Sequence, residues 1–437
     1  MEGDMLVNFR VNNFKSYKAV AEFTFLADAI KEYEETHIFT HSGIRLLHSA
    51  ALFGANAGGK SNLISALAMV RKLILRSAKE SQSGDKLPMD SFRLSTETEG
   101  KPSEFEIEFF LGERYAQYGF AADKDHIVKE WLRIRKRAST KPASYFERRE
   151  QHFNIGSFFK EGEKLTELTR PNALFISVAA QFNSKIAMDI VQWFRDLKIL
   201  SGYDDSYRGF TLHHVSENKV IRSRVEKLLK IADIGIEGVD VEKEIFTKDN
   251  APDSMPDWFK NEIFKEKTVL NAFNARTFHK RFDDTKTFVD QIEFDLDKDE
   301  SKGTQKLFNL AGPLLNSLDL GNILVIDELD ARLHPRLVIE IIKMFHSPQT
   351  NPNHAQLLFT THNTRLLAED LLRRDQVWFA EKNRYGESEL YSLLDIDEPK
   401  IKRKDASFEK NYLLGKYGAV PGITGFEHIG CEEQDES

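Results

Sequence analysis

Residues 46–75 read LLHSAALFGANAGGKSNLISALAMVRKLIL, and their pattern decides the fold. A short apolar run, Ala50 to Phe53, has the length and composition of a buried strand. From Lys60 onward the apolar residues Leu63, Ala66, Met69 and Leu73 or Leu75 recur at helical spacing. Between them Gly54-Ala55-Asn56-Ala57-Gly58-Gly59-Lys60-Ser61 fits GxxxxGK[ST]. Glycines let backbone N–H groups turn inward around an anion, and the start of the helix adds partial positive charge. The pattern therefore predicts a phosphate cradle formed by Gly54, Asn56, Gly58, Gly59, Lys60, Ser61 and Asn62. Lys60 would reach the β and γ phosphates of a nucleoside triphosphate, and Ser61 would place its hydroxyl on Mg²⁺. A plain Gly-rich turn in a βα unit is the alternative reading.

A second element lies far downstream. Ile323-Leu324-Val325-Ile326 is an apolar strand that ends in Asp327, Glu328 and Asp330. Buried parallel strands deliver their last side chains to the sheet edge where ligands bind. Asp327 is placed to hold Mg²⁺, and Glu328 to orient and deprotonate an attacking water. Ser301-Lys302-Gly303-Thr304 precedes this strand by the length of a helix and a turn. Such a segment is a second anion site, although on these residues alone an ordinary helix N-cap is the favoured reading. His362, in TTHN after the next strand, would emerge at the same edge. A histidine in that place also reads as structural.

The rest of the chain bounds the possibilities. Its 437 residues suit about three domains, or one domain with a large insertion. With 41% hydrophobic residues and 33 Phe it can build a sizeable core, which argues against extended disorder. A net charge of −8 disfavours a globally basic nucleic-acid binder. The single cysteine, Cys431, excludes an intrachain disulfide and a Cys-cluster zinc site, as expected in a reducing cytoplasm. The acidic start lacks the pattern of a signal peptide, and no run is long enough to span a bilayer, so the reading is cytoplasmic and not membrane-bound.

Alternation predicts two strands within residues 5–26 and an antiparallel meander over 104–137. An amphipathic helix is expected around Val220–Ile231. After residue 304 a helix, the strand 323–326, a helix after Pro335, the strand 356–360, a helix to Leu372 and the strand 376–382 alternate, which implies a parallel sheet. The expected organisation is residues 1–100 as the first half of the head, 101–184 as a β-lobe, 185–300 as a mostly helical insertion, 301–425 as the second half, and 426–437 as an acidic tail.

In this order, GANAGGKS, SKGT, ILVIDELDARLHP and TTHN resemble the ABC-type ATPase heads of SMC, RecF and OLD proteins. NFKSY, TRPNALFISVAAQFN, RRDQVWFAEK and YLLGKYGAVP further resemble the RloA/AbiLi group of bacterial ATPases associated with abortive infection and phage defence. The resemblance covers most of the chain and is weakest over residues 205–290. It implies an α/β fold, an ABC/SMC-type P-loop NTPase head with a small antiparallel β-lobe and a helical insertion. It also implies ATP with Mg²⁺, sandwiched in a head-to-head homodimer or higher oligomer. Ser301 and Gly303 would then act on the γ-phosphate bound to another copy, and His362 would sense it. Asp330 would belong to the segment crossing that interface, Gln181 would match the Q-loop glutamine, and Lys15 a basic position near the nucleotide. Gln181 and Lys15 also read as ordinary solvated residues.

Some relatives carry a nuclease. Glu381, Asp395 and Asp397 are too closely spaced to be converged on one metal by intervening elements, so any nuclease or toxin is expected as a separately encoded effector. Arg133, Arg135 and Arg137 alternate on one strand, with Lys129, Lys136, Lys141, Arg148 and Arg149 nearby and a second run at 400–404. They read as a phosphate-contacting strip or as a solvated edge. The resulting expectation is an ATP-hydrolysing sensor or scaffold subunit in phage defence. The rivals are a DNA-binding RecF/SMC-like repair ATPase, a non-hydrolysing scaffold and, least favoured, a small-molecule kinase.

Overall fold

All five residues of the strand that enters the glycine loop are buried, and so are all five of the strand 356–360, as parallel strands covered on both faces require. The computed structural model describes residues 4–421 apart from 81, 137–140, 204, 206, 233–234, 249, 253–254, 267, 369 and 397–406. Arg137, Asp397, the basic run 400–404 and the acidic tail with Cys431 therefore lie outside the described residues. Two compact units divide the chain, one of residues 6–195 with 358–421 and one of residues 4–5 with 196–357.

The first unit opens with β1 (Leu6–Asn12), β2 (Ala21–Thr24), α1 (Glu34–His37), β3 (Ile38–His41), β4 (Ile44–Leu47), β5 (Ser49–Phe53) and α2 (Lys60–Arg76). It continues with β6 (Ser103–Leu111), β7 (Arg114–Ala122), β8 (Ile127–Arg135), β9 (Ala143–Arg149), β10 (His152–Ile155), α3 (Phe175–Gln181) and α4 (Lys185–Asp196). The second unit holds β11 (Lys198–Ser201), α5 (Arg208–Glu217), α6 (Lys219–Ile231), β12 (Ile236–Phe246), α7 (Asp257–Glu266), β13 (Leu270–Phe282), β14 (Phe288–Asp295), α8 (Lys302–Leu320), β15 (Ile323–Asp327) and α9 (Pro335–His346). Through β16 (Gln356–Thr360) the chain returns to the first unit and to β17 (Val377–Lys382), β18 (Ser388–Ser392) and α10 (Phe408–Leu413).

In the first unit β17 runs parallel to β5 and antiparallel to β18. A seven-stranded antiparallel sheet, in the order β10-β9-β8-β7-β6-β1-β2, forms the lobe. It reaches beyond the expected meander because β1 and β2 join it. Its register stacks Val11, Phe105 and Phe120 on the buried face, while Arg10, Glu106 and Arg133 stand on the other. A buried carboxylate ties this lobe to α3: Glu130 accepts from the Phe175 and Ile176 N–H groups at 2.7 and 3.0 Å and from Arg148 at 3.4 Å.

In the second unit β11 pairs parallel with β15. Helix α8 is buried along most of its length although it contains Pro313. Proline has no N–H for the carbonyl four residues back. The Thr211 hydroxyl takes that place, donating to the Asn309 oxygen at 2.6 Å and accepting from Gly312 N–H at 3.2 Å. The predicted amphipathic helix is α6, capped by Asn218 and burying Val225 and Leu229. Besides α4 to α7, residues 185–300 contain an antiparallel sheet, β12-β13-β14, which the sequence reading did not anticipate.

The helix expected to run to Leu372 is instead a single 3₁₀ turn, Thr364–Leu367. Arg373 draws the following chain aside: it is buried and donates to the carbonyls of Asp28 and Ile30 and to Asp375. Among the described residues no helix is long and apolar enough to cross a membrane.

Candidate functional site

The glycine loop owes its shape to a tight fit against the β17-β18 hairpin. Gly54 has φ +145°, and a Cβ there would stand 2.3 Å from the Ala380 carbonyl oxygen. Gly59 has φ +123° and would bring a Cβ to 2.6 Å from Ser388 Oγ. Only glycine meets both demands. Ser388 Oγ is hydrogen-bonded to the Gly58 carbonyl and to Ser16 Oγ, both at 2.8 Å, and Tyr17 OH donates to the Gly59 carbonyl at 3.1 Å. Asn62 donates to Ser16 Oγ at 2.7 Å, so loop, helix and N-terminal turn form one braced unit. Burial pushes the Tyr17 phenol up, which keeps it a neutral donor.

Helix α2 starts at Lys60 and seats its apolar face, Leu63, Leu67, Val70 and Ile74, in the core. Its first N–H groups point toward the loop, a ready anion site. Lys60 is buried, and its ammonium donates to the carbonyls of Gly54 at 2.7 Å and Ala55 at 3.1 Å. Ser61, the next residue, is exposed at the helix start, and Asn56 is exposed on the loop.

His362 shares a cavity of about 680 Å³ with Gly54–Gly58, Thr361, Glu381 and Tyr412. The Thr361 N–H donates to the Leu52 carbonyl at 3.1 Å, which fixes the turn after β16 against β5, the strand that leads into the loop. Tyr412 stacks on Phe379 with ring centroids 5.4 Å apart, and burial pushes its phenol up to about 12. Thr364 donates to Glu409 on α10 at 2.9 Å, so α10 is joined to the histidine turn.

The second unit holds the acidic element. Asp327 ends β15 in register with Ser201 of β11, half-buried, and its carbonyl accepts from Gly202 N–H at 2.6 Å. Glu328 follows with φ +56°, a strained backbone for a residue with a side chain and one that clusters at functional sites. Ser301 caps α8: its Oγ accepts from Thr304 N–H at 3.2 Å. Gly303 lies against the turn after Asp330, where a Cβ would be 3.1 Å from the Arg332 carbonyl. The serine-glycine corner and the Asp330 turn are thus neighbours within one unit.

Other expected site residues lie elsewhere. Gln181 is not brought to the glycine loop; it shares a cavity with Leu75, Ala78 and Lys79 at the far end of α2, roughly 20 Å along the helix from Lys60. Lys15 donates to Ser65 on α2 at 2.6 Å. Arg148 leaves the basic strip altogether, because it is buried against Glu130. Arg133 and Arg135 do share a face, but Glu106 and Glu108 stand two strands away on that face, and Arg135 stacks on Tyr115 at 3.8 Å. Asp395 caps a turn through Ser392 N–H at 2.8 Å, and Glu381 accepts from Tyr391 OH at 2.9 Å. The brace of Ser16, Tyr17 and Ser388 escaped the sequence reading; NFKSY was its one visible trace.

The chain is similar to the SMC head domain from Thermotoga maritima, with 13% identity, 89% of this chain and 98% of that one covered, and a TM-score of 0.39. It is also similar to the Smc head domain from Pyrococcus furiosus solved with the C-terminal domain of ScpA, at 11% identity, 89% and 96% coverage and a TM-score of 0.39. For the recombination mediator RecF of the RecFOR pathway the figures are 12%, 89% and 98%, and 0.32. Comparison with curated proteins gives no match. Residues 49–368, well over half of the chain, match the family described as "AAA domain, putative AbiEii toxin, Type IV TA system", AAA_21. The chain belongs to this AAA-domain family.

Proposed function

We propose that the chain binds and hydrolyses ATP as an ABC-type ATPase, and that two copies clasp the nucleotide between them. The observation that carries this reading is the glycine loop, where Lys60 rests on the carbonyls of Gly54 and Ala55, which triphosphate oxygens would replace as its partners, while His362 lines a cavity with the loop residues Gly54–Gly58. A hydroxyl and a carboxylate, Ser61 and Asp327, are the hard oxygen donors that suit Mg²⁺, which when bound would neutralise charge on the phosphates. Glu328 is proposed to orient and deprotonate the attacking water. The Ser301-Gly303 corner of one copy would close over the γ-phosphate held by the other, and His362 would sense that phosphate. Nucleotide-driven closure gives the protein two states that a partner can distinguish.

The matched family's description pairs its AAA domain with a toxin system, which supports a role as sensor or scaffold of a phage-defence system acting with a separate nuclease or toxin. Phosphate release by the purified chain tests the enzyme: the wild type turns over, Lys60→Ala neither binds nor hydrolyses, and Glu328→Gln binds without turnover. Wild-type turnover by Glu328→Gln would refute the assignment. Purification of the tagged chain from its host with and without ATP tests the role: a nuclease or toxin retained with it supports defence. Salt-sensitive, ATP-strengthened retention of duplex DNA instead supports a repair function.

A further inference from the structure

In the second unit the residue just before Ser301 is tied to the antiparallel sheet that precedes it. Glu300 sits in the turn between β14 and α8, its side chain only 7% exposed, and its Oε1 accepts from His279 Nε2 at 2.6 Å and from the Thr277 hydroxyl. Thr277 and His279 stand two residues apart on β13, so both project from one face of that strand toward the same carboxylate. The His279 ring is seated against Phe294 of β14, with centroids 4.5 Å apart. From the other side, Gln305 of α8 donates through Nε2 to the carbonyls of Asp297 and Glu300 at 2.9 and 3.0 Å. Asp297, Lys298 and Asp299 in the same turn are exposed. Withdrawing a carboxylate from water costs free energy unless donors meet it. An apolar side chain would serve packing as well; the donors on β13 give Glu300 one defined place.

We propose that Glu300, held by His279 and Thr277, is a positioning residue for the Ser301-Gly303 corner. The inference rests on that corner closing over nucleotide bound to another copy. Glu300 and Ser301 share one planar peptide group, so anchoring the Glu300 side chain limits the rotations that would swing the Ser301 N–H and hydroxyl out of place. With Gln305 holding the Glu300 carbonyl from α8, the corner is set from both sides and little ordering remains to be done on closure. Because Thr277 and His279 belong to β13, the sheet β12-β13-β14 takes part in placing a group that acts on the other copy's nucleotide.

Mixing two inactive full-length chains tests this. A Lys60→Ala chain lends only its corner and a Ser301→Arg chain only its glycine loop, so the mixture should regain ATP turnover that neither has alone. Glu300→Ala added to the Lys60→Ala chain is expected to lower the regained turnover about tenfold. Added to the Ser301→Arg chain, it is expected to change nothing. His279→Leu should behave in the same way, and both changes in one chain should cost no more than either. Glu300→Gln, which keeps an acceptor oxygen, should retain most of the turnover and stands in for Glu300→Ala if that chain does not fold. A loss that is equal in the two placements, as a general weakening of the fold would give, or no loss in either, would overturn the proposal. A mixture of Lys60→Ala and Ser301→Arg chains that regains nothing would remove the two-copy reading and this inference with it. Regained turnover that ignores where Glu300→Ala is placed removes only the inference.

Discussion

Lys60 Nζ stands 2.7 Å from the carbonyl oxygen of Gly54, so the cation proposed to meet phosphate is held by the first residue of its own loop. The two carbonyls that keep the buried ammonium solvated are weaker partners than phosphate oxygens. On the proposed reading, nucleotide binding exchanges partners at a site already built, with little reordering of the loop.

Lys60→Ala should abolish stabilisation by nucleotide. At ATP a hundredfold above its dissociation constant the wild type gains about 2.7 kcal/mol, and the variant should gain none. Thermal melts with and without ATP give the comparison, and an equal ATP-induced rise in both proteins would contradict it.

The glycine fit predicts a graded series. Gly54→Ala meets backbone at 2.3 Å and should cost about 3 kcal/mol or displace the loop. Gly84→Ala, with φ +89° and nothing within 4 Å, should cost about 1 kcal/mol. Urea unfolding of the two variants measures both, and equal costs would show that the Ala380 contact is irrelevant.

How far this was legible depended on distance along the chain. The loop, the strand ending at Asp327 and the Ser301 cap are local patterns, complete within a few residues. The brace on Gly58 and Gly59 is not, because Ser388 meets residues more than 300 positions away. Arg148 read as one cation among several until its partner Glu130 placed it in the core. The β12-β13-β14 sheet was obscured because its outer face is polar and charged, as in Glu242, Glu244 and Lys280. Gln181 followed from a resemblance in sequence, while the packing of α3 by the end of α2 carried it away.

Acid should weaken the first unit through His37. Burial pushes its imidazole down to about 4, and it is hydrogen-bonded to the Leu371 carbonyl at 2.9 Å. A depressed folded value means stability that is present above the unfolded pKa of about 6.5 and lost as pH falls toward about 4, worth roughly 3 kcal/mol. Denaturant midpoints at neutral and acid pH should diverge more for the wild type than for His37→Gln.

Neutralising Arg133 and Arg135 together should leave the mid-salt affinity for duplex DNA unchanged, because Glu106 and Glu108 lie on the same face of the lobe. Filter binding across a salt series measures this. A shallower salt slope in the double variant would restore the phosphate-contacting strip.

The central claim is that nucleotide closes two copies on each other. Sedimentation of the Glu328→Gln protein with ATP and Mg²⁺ measures it directly: the account predicts a doubled mass with ATP, return to the smaller species when ATP is removed, and no doubling once Ser301→Arg blocks the corner at α8. Saturating ATP binding with no change in mass would contradict it.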